Sequence, residues 1–239
     1  MTTSRETAVA ARPADLSAGD REAMLALLDR HFEGVTAAQF ARDLDEKDWV
    51  LRLFDAGALV GFTTLQVYRS HPTGRRVNVV YSGDTIVAPD AWGSPALARG
   101  WGALVWGLRR ACPDVPWYWL LLSSGFRTYR FLPVFCREFW PRHDEATPPD
   151  ARQLLVALAR ERFGASFDAA AGIVRLAMPQ RLRGALALVP EGKAHDPHVA
   201  FFVERNPGYA AGDELVCLAE LHDANLTAAG RRMVRGASS

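Results

Sequence analysis

Residues 82–105 read SGDTIVAPDAWGSPALARGWGALV. A β-branched, extended approach ends near Val87, a turn follows through Pro89 to Gly93, and an apolar segment at helical spacing begins at Pro95. Strand, turn and helix in this order can place backbone N–H groups and the positive end of a helix against a phosphate. Pro95 suits the first turn of a helix, where an N–H has no intrahelical partner. It also removes one phosphate donor outright, and Leu97 adds bulk beside the turn. The stretch therefore reads either as a phosphate site with few donors or as a plain capped helix start at Gly93-Ser94-Pro95.

Outward from this stretch the chain alternates between the two periodicities. ETAVAA (6–11) predicts a strand, and Ser17 and Asp20 start a helix with Met24, Leu25, Leu28 and Phe32 on its apolar face. A short helix follows over Thr36–Leu44. WVLRLFD (49–55) and ALVGFTTLQVYR (58–69), joined at Ala56-Gly57, predict a hairpin, and RVNVVYSGDTIVA (76–88) a third long strand. The helix from Pro95 runs to about Arg110, WYWLLLSS (117–124) is a buried strand, and residues 126–139 predict a helix that Pro133 kinks or divides. Beyond lie a helix over 148–163, a strand over 172–177, a helix capped by Asp196 with Pro197 at its first position, and a strand over 213–221. No repeat or low-complexity linker divides the chain, so residues 1–143 read as a core and 144–239 as an elaboration packed on it, completing the sheet or covering it as a lid.

Composition narrows the function classes. Twenty-eight basic and 27 acidic residues give a net charge of +1, which supplies no general attraction to nucleic acid or an anionic membrane. Cys112, Cys136 and Cys217 are too widely spaced for a CxxC metal site or a disulfide framework, consistent with a reducing compartment. The polar N-terminus has no apolar leader core, and no apolar window is long enough to span a bilayer. A cytoplasmic protein of a GC-rich, bacterial genome is the expectation, without a metal. His195 and His198 have no evident third ligand and read as a cap and a surface residue.

Three stretches together resemble the GNAT superfamily of N-acetyltransferases. AARPADLSAGDREAMLALL is similar to the family's opening strand and helix, FDAGALVGFTTLQV to its second hairpin, and SGDTIVAPDAWGSPALARGWGALV to its fourth strand and cofactor loop. The match covers roughly residues 6–139 and implies an α/β fold of the α+β kind, with a mixed, mostly antiparallel sheet flanked by helices. It further implies that a bulge splays the strands over 76–88 and 117–124, with a thioester's pantetheine pairing with backbone between them. On this resemblance Thr85, Ile86 and Val87 would hold pantetheine, and Trp92, Gly93, Ser94, Ala96 and Leu97 would form the pyrophosphate loop. Pro95 and Leu97 depart from the usual small residues. Each lost charge-assisted hydrogen bond costs about 1.5–3 kcal/mol, so the donor is either a weakly held acyl-CoA or a phosphopantetheine carried on an acyl-carrier protein.

Acyl transfer to an amine also needs a proton acceptor and stabilisation of the leaving thiolate. Asp84 is the candidate base, or else an edge carboxylate paired with an arginine; Gly83 beside it marks a bulge. Tyr129 stands about one turn from the family's acid position and is either that acid or a packing residue. Ser123 and Ser124 either contact pantetheine or cap a helix. Arg127, Arg130 and Arg142 form a cationic pocket in one reading, with His143 as a second candidate base. In the other reading, Arg142 and His143 sit in a turn that pairs with Asp144 and Glu145. The expected activity is transfer of an acyl group from a thioester to the amine of a small or apolar acceptor, by a chain that pairs as a homodimer through aromatic strands. The alternative is a non-catalytic GNAT-like ligand-binding or scaffold module.

Overall fold

The computed structural model describes residues 6–235. The chain enters as β1 (Thr7–Ala11) and α1 (Ala18–His31), where Ser17 and Asp20 exchange hydrogen bonds in a capping box. A two-residue strand β2 (Phe32–Glu33) and α2 (Ala37–Asp45), capped by Thr36, lead to the central strands. These are β3 (Trp49–Asp55), β4 (Ala58–Ser70) and β5 (Val77–Val87), followed by α3 (Ala96–Ala111) and β6 (Trp117–Ser123). After β6 come two short helices, α4 (Phe126–Tyr129) and α5 (Phe131–Phe135), then α6 (Pro149–Phe163). The remainder supplies β7 (Phe167–Asp168), β8 (Ile173–Val174), β9 (Arg181–Leu182), α7 (Pro197–Arg205), β10 (Glu214–Glu220) and α8 (Ala228–Val234).

The main sheet has eight strands in the order β1-β3-β4-β5-β6-β10-β8-β7, and every neighbouring pair is antiparallel except β5 and β6. This is the GNAT-like arrangement that the resemblance implies. The parallel pair arises because α3 carries the chain from the end of β5 back over one face before β6 begins. Strand alternation then divides the apolar residues. Leu51, Val80, Trp119, Leu121 and Cys217 face α3, α5 and α8, whereas Val79, Tyr81, Leu120, Val216 and Leu218 face α6. A third cluster joins α1 and α2 to Val50, Phe62 and Ile86.

Several expectations shift. The single helix over 126–139 is two short helices separated at Arg130, with Pro133 inside the second. The strand over 172–177 shrinks to Ile173–Val174, and the helix over 95–110 starts at Ala96 with Pro95 as its cap residue. Helix α8 was not anticipated, although Thr227 accepts a hydrogen bond from the Gly230 N–H as an N-cap. Its approach to α3 is tight: a Cβ on Gly102 would lie 2.8 Å from the Met233 carbonyl oxygen. Gly102→Ala is therefore expected to destabilise the protein by about 1–3 kcal/mol through overpacking. Calorimetry would register this as a Tm lowered by about 2–4 °C per kcal/mol.

Candidate functional site

The site begins with a break in strand pairing. From Asn78 to Ser82, β5 pairs with β6, the last couple being Ser82 and Leu121. Beyond it β5 runs on to Val87, while β6 ends at Ser123, still paired with β10 at Leu215. The stretch of β5 from Gly83 to Val87 thus presents an edge without a partner strand on its β6 side. On the β4 side Phe62 opposes Ile86 and Thr64 opposes Gly83, so Thr63 alone faces both Asp84 and Thr85. That two-against-one count is a bulge, and Asp84 adopts φ +39° within it. Aspartate tolerates the left-handed region better than most residues. Space beside it at Gly83 is tight, since a Cβ there would lie 3.0 Å from the Tyr81 hydroxyl.

A cavity of about 690 Å³ occupies the opening. Ser82, Thr85, Ile86 and Val87 line it from β5, Trp119 and Leu121 from β6, and Trp92 to Pro95 from the turn before α3. The Thr85 and Thr63 hydroxyls are hydrogen-bonded at 2.7 Å, which steadies the bulge. The Trp92 indole N–H donates to the Val87 carbonyl at 2.8 Å and so closes the outer end of the open strand edge. At the start of α3 the Ala96 N–H is already bound to Ser94 Oγ at 3.2 Å. The N–H groups of Leu97 and Ala98 remain as first-turn donors without intrahelical acceptors. Leu97 lines the cavity as well, with its side chain largely buried against Trp101 and Val105. Pro95 and Leu97, the two departures read from the sequence, thus both border the opening.

Charge is distributed unevenly around this opening. Arg99, Arg127, Arg130, Lys193 and Arg232 line the cavity, and no carboxylate does. Arg130 is held by Asp196 at 3.2 Å, and Arg127 donates to the Leu186 carbonyl at 2.9 Å while lying 4.5 Å from the Trp92 ring. Burial lowers the pKa of Arg127. Among the described residues no salt bridge engages Arg99, Lys193 or Arg232. With a net charge of only +1 for the whole chain, this concentration of cations is local. Arg99, Lys193 and Arg232 had no motif to announce them. Leu182, Leu186, Pro190 and Lys193 approach the cavity from the segment after α6, and β9 pairs with β2 to hold that segment in place.

Asp84 lies elsewhere. It does not line the cavity; Thr64 Oγ1 donates to its carboxylate at 3.2 Å, and Lys47 Nζ stands 4.0 Å away. Lys47 is buried and also donates to the Asp43 carbonyl at 2.8 Å. A second carboxyl that the sequence gave no reason to single out, Glu214, starts β10 beside the end of β6. Burial, reinforced by the negative charge of Asp84, pushes its pKa up to about 8. Burial also raises Tyr81, with Glu214 and Asp84 adding to the effect. Bulge, buried lysine and the two carboxyls thus surround one part of the splay.

The other expected site residues separate into two groups. Arg127, Arg130 and Ser124 line the cavity with the β5 and loop residues. Ser123 is buried, 3.9 Å from Cys217 Sγ. Tyr129, Arg142 and His143 are not brought to the cavity. Tyr129 is wholly buried among Phe139, Phe201 and Phe202, and its hydroxyl donates to the Pro141 carbonyl at 2.9 Å. Burial drives its pKa upward. Arg142 forms a two-pronged ion pair with Asp144, one contact at 2.6 Å, and the His143 ring packs edge-on against His198 at 4.5 Å. The turn reading of this segment describes these contacts. Among the described residues, no group of His, Cys, Asp or Glu side chains is placed to hold a metal, and no helix is long and apolar enough to cross a membrane.

Neither a family signature nor a curated protein sequence matches the chain. Among solved structures it is similar to an acyl-CoA N-acyltransferase from Pseudomonas aeruginosa, at 19% identity over 48% of this chain and 78% of that one, with a TM-score of 0.35. A GCN5-related N-acetyltransferase from Kribbella flavida matches at 15% identity over 93% of this chain and 67% of its own, TM-score 0.39. A GNAT family N-acetyltransferase from Escherichia coli, solved in complex with CoA, matches at 16% identity over 52% of this chain and 66% of its own, TM-score 0.38.

Proposed function

We propose that this divergent GNAT-like chain is an N-acyltransferase that takes an acyl group from a pantetheine thioester and passes it to an amine. The observation that carries the reading is the pairing of an open β5 edge with a cavity whose charged lining is wholly cationic. Pantetheine is a chain of amides, and an unpartnered strand edge offers amide donors and acceptors in register with it. Beyond Val87 the first-turn N–H groups of α3, with Arg99, Lys193 and Arg232, supply positive charge for phosphate oxygens. A nucleotide-bearing donor explains these cations better than a thioester on a carrier protein, which presents a single phosphate. We therefore favour acyl-CoA.

The amine nitrogen attacks the thioester carbonyl carbon, the C–N bond forms, the C–S bond breaks, and the thiolate departs. The amine must lose a proton, and we assign its acceptance to the carboxyls of Glu214 and Asp84, a reading supported by their mutual electrostatic influence near the bulge. In this reading Glu214 takes the role offered above to His143, and Tyr129, buried away from the cavity, is assigned none. A primary amine that is a cation in water would be drawn to these carboxyls from the side of the sheet away from the cationic cavity. The test is thiol release from acyl-CoA in the presence and absence of primary amines. Amine-dependent release supports the reading; saturable CoA binding without release for any amine would favour the non-catalytic ligand-binding module.

A further inference from the structure

At the point where β5 and β6 part, two indoles meet one hydroxyl. Trp119 Nε1–H donates to Ser82 Oγ at 2.9 Å, and Trp101 Nε1–H donates to the same oxygen at 3.3 Å. Indole nitrogens can only donate, so both bonds oblige Ser82 to act as acceptor. The two rings pack at 4.5 Å between centroids, which leaves little freedom to rearrange. Ser82 is 2% exposed, yet it lines the cavity together with both tryptophans. With two lone pairs occupied, the hydroxyl proton is the group left to be satisfied. Among the described residues no acceptor lies within reach of it; the recorded bonds to Ser82 Oγ are the two from the indoles.

We infer that the Ser82 hydroxyl is a fixed hydrogen-bond donor to the carbonyl oxygen of the thioester, supporting the oxyanion that forms when the amine adds. The inference rests on the acyl-transfer reading above. Its geometric basis is position: Ser82 is the last residue of β5 paired with β6, immediately before the open edge and the Asp84 bulge. A pantetheine following that edge from the α3 end brings its thioester to this vertex. Ser82 keeps its proton throughout, because the bond is only strengthened as charge accumulates on oxygen. Two indole dipoles aimed at Oγ polarise the hydroxyl and make it a better donor than an ordinary serine. Such a preorganised donor commonly contributes 10²–10³ in kcat. It would partly replace the function for which the family resemblance had offered Tyr129, stabilising the reaction before C–S cleavage instead of protonating the product.

The test measures thiol release with acyl-CoA and a saturating primary amine, alongside calorimetric binding of the same thioester. Ser82→Ala is expected to lower kcat by about 10²–10³-fold, with the Kd for acyl-CoA changed by less than about threefold. Ser82→Ala alone strands two buried indole N–H groups, so a second comparison removes that burden. In a Trp101→Phe/Trp119→Phe background the Ser82→Ala change leaves no orphan donor, and it should still lower kcat by at least tenfold. A bound acyl-CoA labelled with 13C at the carbonyl should show its C=O stretch moved to lower frequency in the wild type and restored toward the free value by Ser82→Ala. Equal kcat with and without the hydroxyl in the double-phenylalanine background, or an unshifted carbonyl stretch in the wild type, overturns the inference. A wild type that binds no acyl-CoA, or binds it without turnover, instead defeats the acyl-transfer reading on which it stands.

Discussion

Glu214→Gln is expected to lower kcat by about 10²–10⁴-fold, the usual range for a general base, and to abolish the pH dependence that the wild type shows around pH 8. The sign follows from the protonation state. A base works when deprotonated, and burial beside Asp84 pushes Glu214 up to about 8, so wild-type kcat should climb as pH rises through that value and then level. Stability should move in the opposite direction. The folded carboxyl holds its proton more tightly than the unfolded one, whose ordinary pKa is 4.5. Its contribution is fully present below about pH 4.5 and is lost as pH rises through about 8. Glutamine has no proton to lose, so the variant's Tm should fall less between pH 5 and 9 than the wild type's. Parallel kinetic and calorimetric profiles would check both. Asp84→Asn should lower the apparent kinetic pKa, because the Asp84 charge contributes to holding the Glu214 proton.

Reversing two of the cavity cations that no acidic side chain among the described residues engages, in Arg99→Glu/Arg232→Glu, should weaken acyl-CoA binding by about 10²–10⁴-fold. Each charge-assisted contact is worth about 1.5–3 kcal/mol, and two of them correspond to that change in Kd. The dephosphorylated pantetheine thioester lacks the groups these side chains would meet, so its affinity should change little. Titrations of both ligands at two salt concentrations would check this, with the wild-type Kd for acyl-CoA rising with salt and the variant's less so. Equal loss for both ligands would place the two arginines in a structural role.

The central strands were legible because their residues carry period-two patterning with few interruptions, and the Gly83-Asp84 pair did mark an irregularity in β5. The capped helices α1 and α2 were legible from Ser17 and Thr36. What failed was local pattern applied to distant partners. Leu97 reads in the sequence only as bulk beside the turn; in the fold it both borders the cavity and joins Trp101 in the core. Glu214 resembles any strand-edge glutamate until the pairing of β10 with β6 and β8 buries it within reach of the Asp84 charge. Arg232 sits on a helix more than a hundred residues from Arg99, and only the α3–α8 packing brings both to one cavity. Ser82 was part of an unremarked strand residue pattern, and its two indole donors come from α3 and β6. These features depend on tertiary approach, which leaves no periodicity in the chain.

The most direct check of the proposal is a calorimetric titration of the wild-type protein with acyl-CoA at low salt. Saturable one-to-one binding, weakened in Arg99→Glu/Arg232→Glu, is the predicted result. No heat of binding at millimolar acyl-CoA, from a protein whose thermal melt shows it folded, would contradict the assignment of this splayed, cationic cavity to a thioester donor.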